Sequence, residues 1–296
     1  MGLNLEKYLE ANKNLIDSSL DEFLPGAQET PAVIHDAMRY SVFAGGKRLR
    51  PILVLASAQA VGGDPNKVLP AACALEMVHT YSLIHDDLPS MDNDDYRRGK
   101  LTSHKVYGEA MAILAGDALL TLAFEVLVDH TKGIDPLKVN LAVVELARAA
   151  GSMGMVGGQV ADILSEGKRI TGKDLEYIHR HKTAALFGAA LRMGAILSHA
   201  EQWEIDSLSN YALHLGLAFQ IVDDVLDVTG EAHRLGKEPG GDIKNMKATY
   251  PSLYSIEESR ARVSEEIEQA LGSISSLGPE ADPLRKIVNY VGTRDY

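Results

Sequence analysis

Five aspartates, Asp86, Asp87, Asp92, Asp94 and Asp95, fall within ten residues of this 296-residue chain, and Arg97, Arg98 and Lys100 follow at once. Carboxylates set this close repel one another unless a hard cation sits among them. Oxygen ligands with no cysteine and one neighbouring histidine suit Mg²⁺ better than zinc. Mg²⁺ takes one or two carboxylates and completes its shell with water and substrate phosphate. Arginines just downstream are what that phosphate needs from its other side. A solvated acidic loop is the bland alternative, and a second run weighs against it: Asp223, Asp224 and Asp227. Residues four apart share a helix face, so Asp223 and Asp227 point the same way with Asp224 beside them. Phe219, Ile221, Val222, Val225 and Leu226 surround them, an apolar setting in which three unpaired acids are costly. Two facing clusters would hold several Mg²⁺ ions around one diphosphate.

The basic residues fall into separate groups: Lys47 and Arg50, Arg97 and Arg98, Lys182, and Lys237 with Lys247. Each alone is an ordinary surface charge. Together, each near a helix end or an acidic cluster, they supply counter-charge for more than one diphosphate. His79, on the apolar helix that leads to Asp86, can donate to a phosphate or serve as a core histidine. No Gly-x-Ser-x-Gly element, P-loop or dinucleotide-binding glycine fingerprint is present. Metal-assisted departure of diphosphate needs none of them, only cations on the leaving group and a water-poor pocket for the carbocation.

The elements that must position these groups are helical. Apolar residues recur at helical spacing, and long β-branched alternating runs are absent. The spacing predicts helices over 3–23, 31–44, 52–61, 69–87, 109–130, 135–150, 152–165, 173–198, 201–228, 251–272 and 282–292. Thr30 is expected as an N-cap with Pro31 at the first helical position. Pro89 should end the helix near Asp87. Gly151, Gly154, Gly157 and Gly158 suggest close approach of another helix or a ligand, because Gly costs about 1 kcal/mol relative to Ala inside a helix. Segment 229–250 is expected as a long loop of the kind kept for function. The expected architecture is all-α: one domain, residues 1–296, of about ten to twelve helices around a central apolar pocket.

Composition narrows the function classes. A formal net charge of −12 argues against a general nucleic-acid binder or an anionic-membrane binder. Cys73 is the only cysteine, so no intrachain disulfide can form, as suits a reducing compartment. The first residues are charged and lack an apolar signal core, and Glu6 stands where a myristoylation motif wants Ser or Thr. The stretch from Ala110 to Val128 carries Asp117 and Glu125 and reads as a buried helix rather than a membrane span. The expectation is a cytoplasmic protein with no stable membrane anchor.

From Gly45-Gly46-Lys47-Arg48-Leu49-Arg50-Pro51 to Lys247-Ala248-Thr249-Tyr250-Pro251, the chain resembles the trans-isoprenyl diphosphate synthases. Both aspartate motifs match, the first in the longer form found in bacterial farnesyl and in plant or bacterial geranylgeranyl diphosphate synthases. The resemblance implies the isoprenoid synthase fold, a homodimer and about three Mg²⁺ per active site. It implies that Lys47, Arg50, His79 and Arg98 hold isopentenyl diphosphate. Arg97, Lys182, Thr183, Gln220, Lys237 and Lys247 would hold an allylic diphosphate, dimethylallyl or geranyl. Asp86, Asp87, Asp92, Asp223, Asp224 and Asp227 would serve the metals, with Asp86, Asp92, Lys182 and Asp223 central to catalysis. The implied mechanism is ionisation, condensation and elimination, with the departing diphosphate taking the proton. Glu238-Pro239-Gly240-Gly241 is not the commonest wording of its loop, which leaves the pose of Lys237 open.

Product length should depend on what closes the apolar pocket below the first motif. Five residues back along a helix is about 7.5 Å. That places Tyr81 under the growing chain, with Ser82 beside it. An aromatic here resembles the farnesyl synthases, so a C15 product is expected, with a C20 geranylgeranyl synthase as the alternative. A class I terpene cyclase is disfavoured by the Asp-rich second motif and by the second set of diphosphate ligands. A non-catalytic regulatory subunit is disfavoured because every motif residue is present.

Overall fold

The computed structural model describes residues 3–229 and 247–293, and among them α-helix dominates. The helices in chain order are α1 (Leu5–Phe23), α2 (Ala32–Val42), α3 (Leu49–Ala60), α4 (Leu69–Asp86), α5 (Ser103–Tyr107), α6 (Glu109–Asp129) and α7 (Pro136–Ala150). Then come α8 (Met155–Ser165), α9 (Gly172–Ile178), α10 (Ala185–Leu197), α11 (Gln202–Thr229), α12 (Tyr250–Leu253), α13 (Ile256–Ser273) and α14 (Asp282–Gly292). The all-α expectation is borne out. The strands among the described residues are two-residue pieces, β1 (Tyr96–Arg97) and β2 (Lys100–Leu101), paired antiparallel in the loop after α4.

The helix signals were sound at most ends. Asn4, Asp135 and Ser255 cap α1, α7 and α13 with their side chains, accepting backbone N–H bonds that would otherwise lack a partner. Pro89 offers no N–H, and α4 stops at Asp86. Three expectations need correction. The N-cap of α2 is Pro31 rather than Thr30, and Thr30–Pro31 is a cis peptide. The run expected as one helix over 173–198 is interrupted by a π-helical turn, His179–Ala184. The helix expected from 251 divides at Tyr254 and Ser255 into α12 and α13.

One core cluster draws buried residues from Ile16 on α1 through to Val291 on α14. Within it α3 and α4 are buried on almost every face, as their near-continuous apolar sequences require. Helix α6 packs along α4 through Ala112, Ala115, Gly116 and Leu119, small residues that let the two helices lie close. Two helical stretches, Glu109–Asp129 and Pro136–Ser165, are long and apolar enough to cross a membrane by length and composition. The burial expected for the first is realised on one face only: Leu114 and Val128 on the other face are half exposed.

Candidate active site

A cavity of about 930 Å³ opens between α3, α4, α8, the π turn and α11. Its depth is apolar, and its polar lining comes from elements far apart in sequence. Each predicted residue reaches it, or misses it, for a local reason.

The first cluster is shaped by the end of α4. Beyond Asp86 the chain folds back on itself, and the Asp92 amide donates to the Asp86 carbonyl at 2.9 Å. That reversal brings Asp92 beside Asp86. Cations crowd onto the pair: Lys247 Nζ donates to both Asp92 oxygens at 2.7 Å, and Lys182 Nζ lies 3.9 Å from Asp86 Oδ2. Both ammoniums also approach Asp162 of α8, at 2.6 Å for Lys182 and 3.9 Å for Lys247. Gln159, one turn earlier on α8, donates to Asp86. Burial lowers the affinity of Lys182 for its proton, but Asp86 and Asp162 outweigh it and the net shift is upward. Burial pushes the Asp86 carboxyl up despite Lys182, with Asp92 adding to the rise.

Asp87 does something else. Its carboxylate is buried, is not part of the cavity lining, and accepts from Arg97 through both Nε and a terminal nitrogen. Desolvation raises its pKa to about 6 against the pull of that arginine. Its place in the expected metal set is therefore corrected to one of holding Arg97, which does line the cavity.

The second cluster divides the same way. Asp223 lines the cavity. Asp224 is buried and turned aside: it accepts from Gln220 Nε2 and from the Tyr250 amide, both at 2.9 Å, with His179 Nε2 3.4 Å away. Its expected metal role is corrected to a structural one. Tyr250 starts α12, so Asp224 anchors the short segment from which Lys247 reaches across to Asp92. Asp227 is also buried and lies outside the cavity lining. Gln220 accepts from Thr183 Oγ1 at 2.6 Å and lines the cavity with Thr183.

The π turn explains how Lys182 and Thr183 are presented. It widens the helix by one residue per turn, a device common at functional sites. Gly158 of α8 lies against it, and a Cβ there would stand 2.6 Å from Lys182 Cα. The close approach expected of the glycine-rich helix is found at this point.

A third group sits on the loop before α3. Gly45 and Gly46 adopt φ of +111° and +113°, a region that side chains rarely occupy. Arg98 donates to the Gly45 carbonyl, and a Cβ on Gly46 would stand 2.6 Å from its guanidinium carbon. Arg48 is left-handed at φ +53° and turns inward, bonded at 2.7 Å to both Asp17 and Glu76 and at 2.6 Å to the Val42 carbonyl. That buried triad leaves Lys47 and Arg50 facing the cavity. Arg50 lies 3.2 Å from His79 Nε2 and 4.8 Å over the Phe187 ring. Burial holds His79 well below the usual histidine range, and Arg50 and Arg98 push the same way, so its imidazole is neutral.

Tyr81 is buried and, with Ser82, lines the cavity. The Ser82 hydroxyl donates to the His79 carbonyl at 2.7 Å. Lys237 and the Glu238–Gly241 departure lie outside the described residues. Several groups escaped sequence reasoning: Asp162 and Gln159 among the ammoniums, His179 and Tyr250 around Asp224, and Tyr290, whose hydroxyl accepts from Lys47 at 3.2 Å. The i, i+3 spacing of Gln159 and Asp162 beside the glycines was the one signal available for the first two.

Among the described residues, no three acidic or imidazole groups converge enough to hold a metal by themselves. The donor set still fits Mg²⁺: Asp86, Asp92 and Asp223 offer oxygens to one cavity, and the cationic side chains opposite can carry the phosphates that complete its shell.

Residues 31–289 match the polyprenyl synthetase family profile. The chain is 47% identical over 295 residues to farnesyl diphosphate synthase of Geobacillus stearothermophilus, covering 99% of both. It is 46% identical over 293 residues to geranylgeranyl diphosphate synthase of Cyanophora paradoxa, covering 99% of this chain and 97% of that one. The fold superposes on a crystal structure of an FPP/GFPP synthase from Zymomonas mobilis with a TM-score of 0.88 at 39% identity, covering 99% of this chain and 100% of that one.

Proposed function

The chain belongs to the polyprenyl synthetase family and is a prenyltransferase, and from that premise we propose that it condenses isopentenyl diphosphate with dimethylallyl and geranyl diphosphates to give farnesyl diphosphate. The observation that carries this is the convergence of Asp86, Asp223 and two separate cationic groups on one largely apolar cavity. Lys47, Arg50, His79 and Arg98 bind the diphosphate of isopentenyl diphosphate. Arg97, Lys182, Thr183, Gln220 and Lys247, together with Lys237, bind the allylic diphosphate. Mg²⁺ at Asp86, Asp92 and Asp223 stabilises the charge that develops on the leaving diphosphate.

The chain's own residues do the rest. Ammonium and guanidinium groups fixed on four different elements meet the leaving group without having to reorganise. Leu186, Phe219 and Met155 wall the cavity and keep water from the carbocation. Asp87 and Asp224 act through Arg97 and Tyr250, as positioning residues. Neutral His79 donates one hydrogen bond to phosphate while Arg50 carries the charge.

Tyr81 closes the pocket beneath the growing chain, which favours C15 over the C20 product of some relatives. Leu114 on α6, Leu137 and Leu141 on α7, and Val160 and Leu164 on α8 are each at least half exposed. Apolar exposure of this kind on neighbouring helices supports a homodimer. The whole works as one all-α domain in the cytoplasm.

Purified protein given isopentenyl and geranyl diphosphates with Mg²⁺ should yield farnesyl diphosphate, read by chromatography after dephosphorylation. A mainly C20 product would overturn the chain-length assignment, and no condensation product would overturn the function. Tyr81→Ala should lengthen the product, and a variant that still makes only C15 would remove Tyr81 from that role.

A further inference from the structure

We infer that His85 and Gly116 set product length through Tyr81: Gly116 of α6 leaves a notch that seats the His85 imidazole, and the seated imidazole braces the Tyr81 ring. The inference rests on Tyr81 closing the pocket, as proposed above.

Tyr81 and His85 are one turn apart on the same face of α4, and both line the cavity. Their rings meet edge to face, with centroids 5.6 Å apart and an angle of 84°, a preferred aromatic geometry. The imidazole is itself fixed from the neighbouring helix. Its Nε2 lies 3.1 Å from the Ile113 carbonyl oxygen. A carbonyl has no proton to give, so Nε2–H donates and the tautomer is set. Asp117 Oδ1 stands 3.8 Å from the same nitrogen.

Gly116 makes the seat. A Cβ at this position would lie 2.6 Å from His85 Cδ2 and 3.1 Å from Cε1, inside ordinary contact. The ring therefore fills the volume that any side chain at 116 would need. Glycine is unfavourable inside a helix relative to alanine, and the imidazole opposite supplies the reason for it here. Two changes should then move Tyr81 in opposite directions. Removing the imidazole frees the tyrosine ring to swing away from the chain. Adding a methyl at 116 drives the imidazole, and the ring it supports, towards the cavity.

The test is the product spectrum at matched low conversion with geranyl and dimethylallyl diphosphates as allylic substrates. His85→Ala should raise the C20 to C15 ratio by roughly tenfold or more, the discrimination that small changes in an apolar pocket carry. Gly116→Ala should raise the C10 to C15 ratio on the order of tenfold. His85→Phe, which keeps a ring against Tyr81, should stay with C15. A general loss of rate with parental product ratios in both alanine variants would overturn the brace. If Gly116→Ala fails to fold, His85→Ala against His85→Phe decides the matter. Tyr81→Ala separates the two levels. Longer products from it alone would sink only the brace, and C15 from it would sink the pocket-floor assignment and the brace together.

Discussion

Replacing Gly158 by alanine asks whether the close approach of α8 to the π turn sets the position of Lys182. The added Cβ would stand 2.6 Å from Lys182 Cα and 2.7 Å from the His181 carbonyl carbon. Ordinary contact begins at 3.4 Å, so the two backbones must part by 3.4 − 2.6, or about 0.8 Å. Neither neighbour is a flexible side chain that could rotate aside. The shift would carry Gln159 and Asp162, which hold Asp86 and Lys182, away from their partners. Overpacking of this kind costs about 1–3 kcal/mol, which a chain of this size should survive. A displacement near 1 Å at a reacting centre can cost about 10²-fold in rate. We therefore expect Gly158→Ala to lower kcat by roughly 10²-fold while the protein stays folded. Gly188 on α10 is the internal control, because a Cβ there meets nothing within 4 Å. Gly188→Ala should keep the parental rate and gain up to about 1 kcal/mol from helix propensity. The assays are steady-state kinetics with geranyl and isopentenyl diphosphates and denaturant unfolding. A Gly158→Ala enzyme as fast as the parent would refute the positioning argument, as would an equal loss in Gly188→Ala.

Arg48→Met should destabilise by about 3–5 kcal/mol, the cost of leaving buried partners uncompensated, here Asp17 and Glu76. Urea unfolding measures it, and a loss under about 1 kcal/mol, typical of surface pairs, would contradict the buried triad. His79 gives a pH signature. Its folded pKa is far below the unfolded value, so the unfolded chain binds the extra proton and stability falls as pH drops below about 6.5. Between pH 7.5 and 5.5 that contribution is about 1.4 kcal/mol. His79→Gln should lose that part of the pH dependence, and an unchanged profile would place His79 in a solvated setting.

Much of the site was legible because it is local. The spacing of Asp223 and Asp227, the apolar residues around them and the proline after Asp87 are short-range facts, and the structure follows them closely. Helix α14 begins and ends where its pattern says. What could not be read depends on rotation or on distance. Adjacent residues on a helix point about 100° apart, so the paired aspartates could not both face one cavity. Which one turns away was decided by Arg97 for Asp87, and by the Tyr250 amide and His179 for Asp224. Tyr290 meets Lys47 across 243 residues, and Gln159 meets Asp86 across 73. No local pattern carries those contacts. Nor does one mark the π turn, which interrupts a sequence that otherwise reads as continuous helix. The inward turn of Arg48 had the same cause: it is fixed by Glu76 and Asp17 on other helices.

The central claim is that two distant aspartate clusters and the cations between them form one metal-dependent diphosphate site. Single-turnover condensation of geranyl with isopentenyl diphosphate, across a Mg²⁺ titration, tests it most directly in the parent, Asp86→Asn and Asp223→Asn. We expect farnesyl diphosphate from the parent only with Mg²⁺, and each variant to be slowed by orders of magnitude with a raised Mg²⁺ requirement. Condensation that persists in chelator, or that is indifferent to either substitution, would contradict the account.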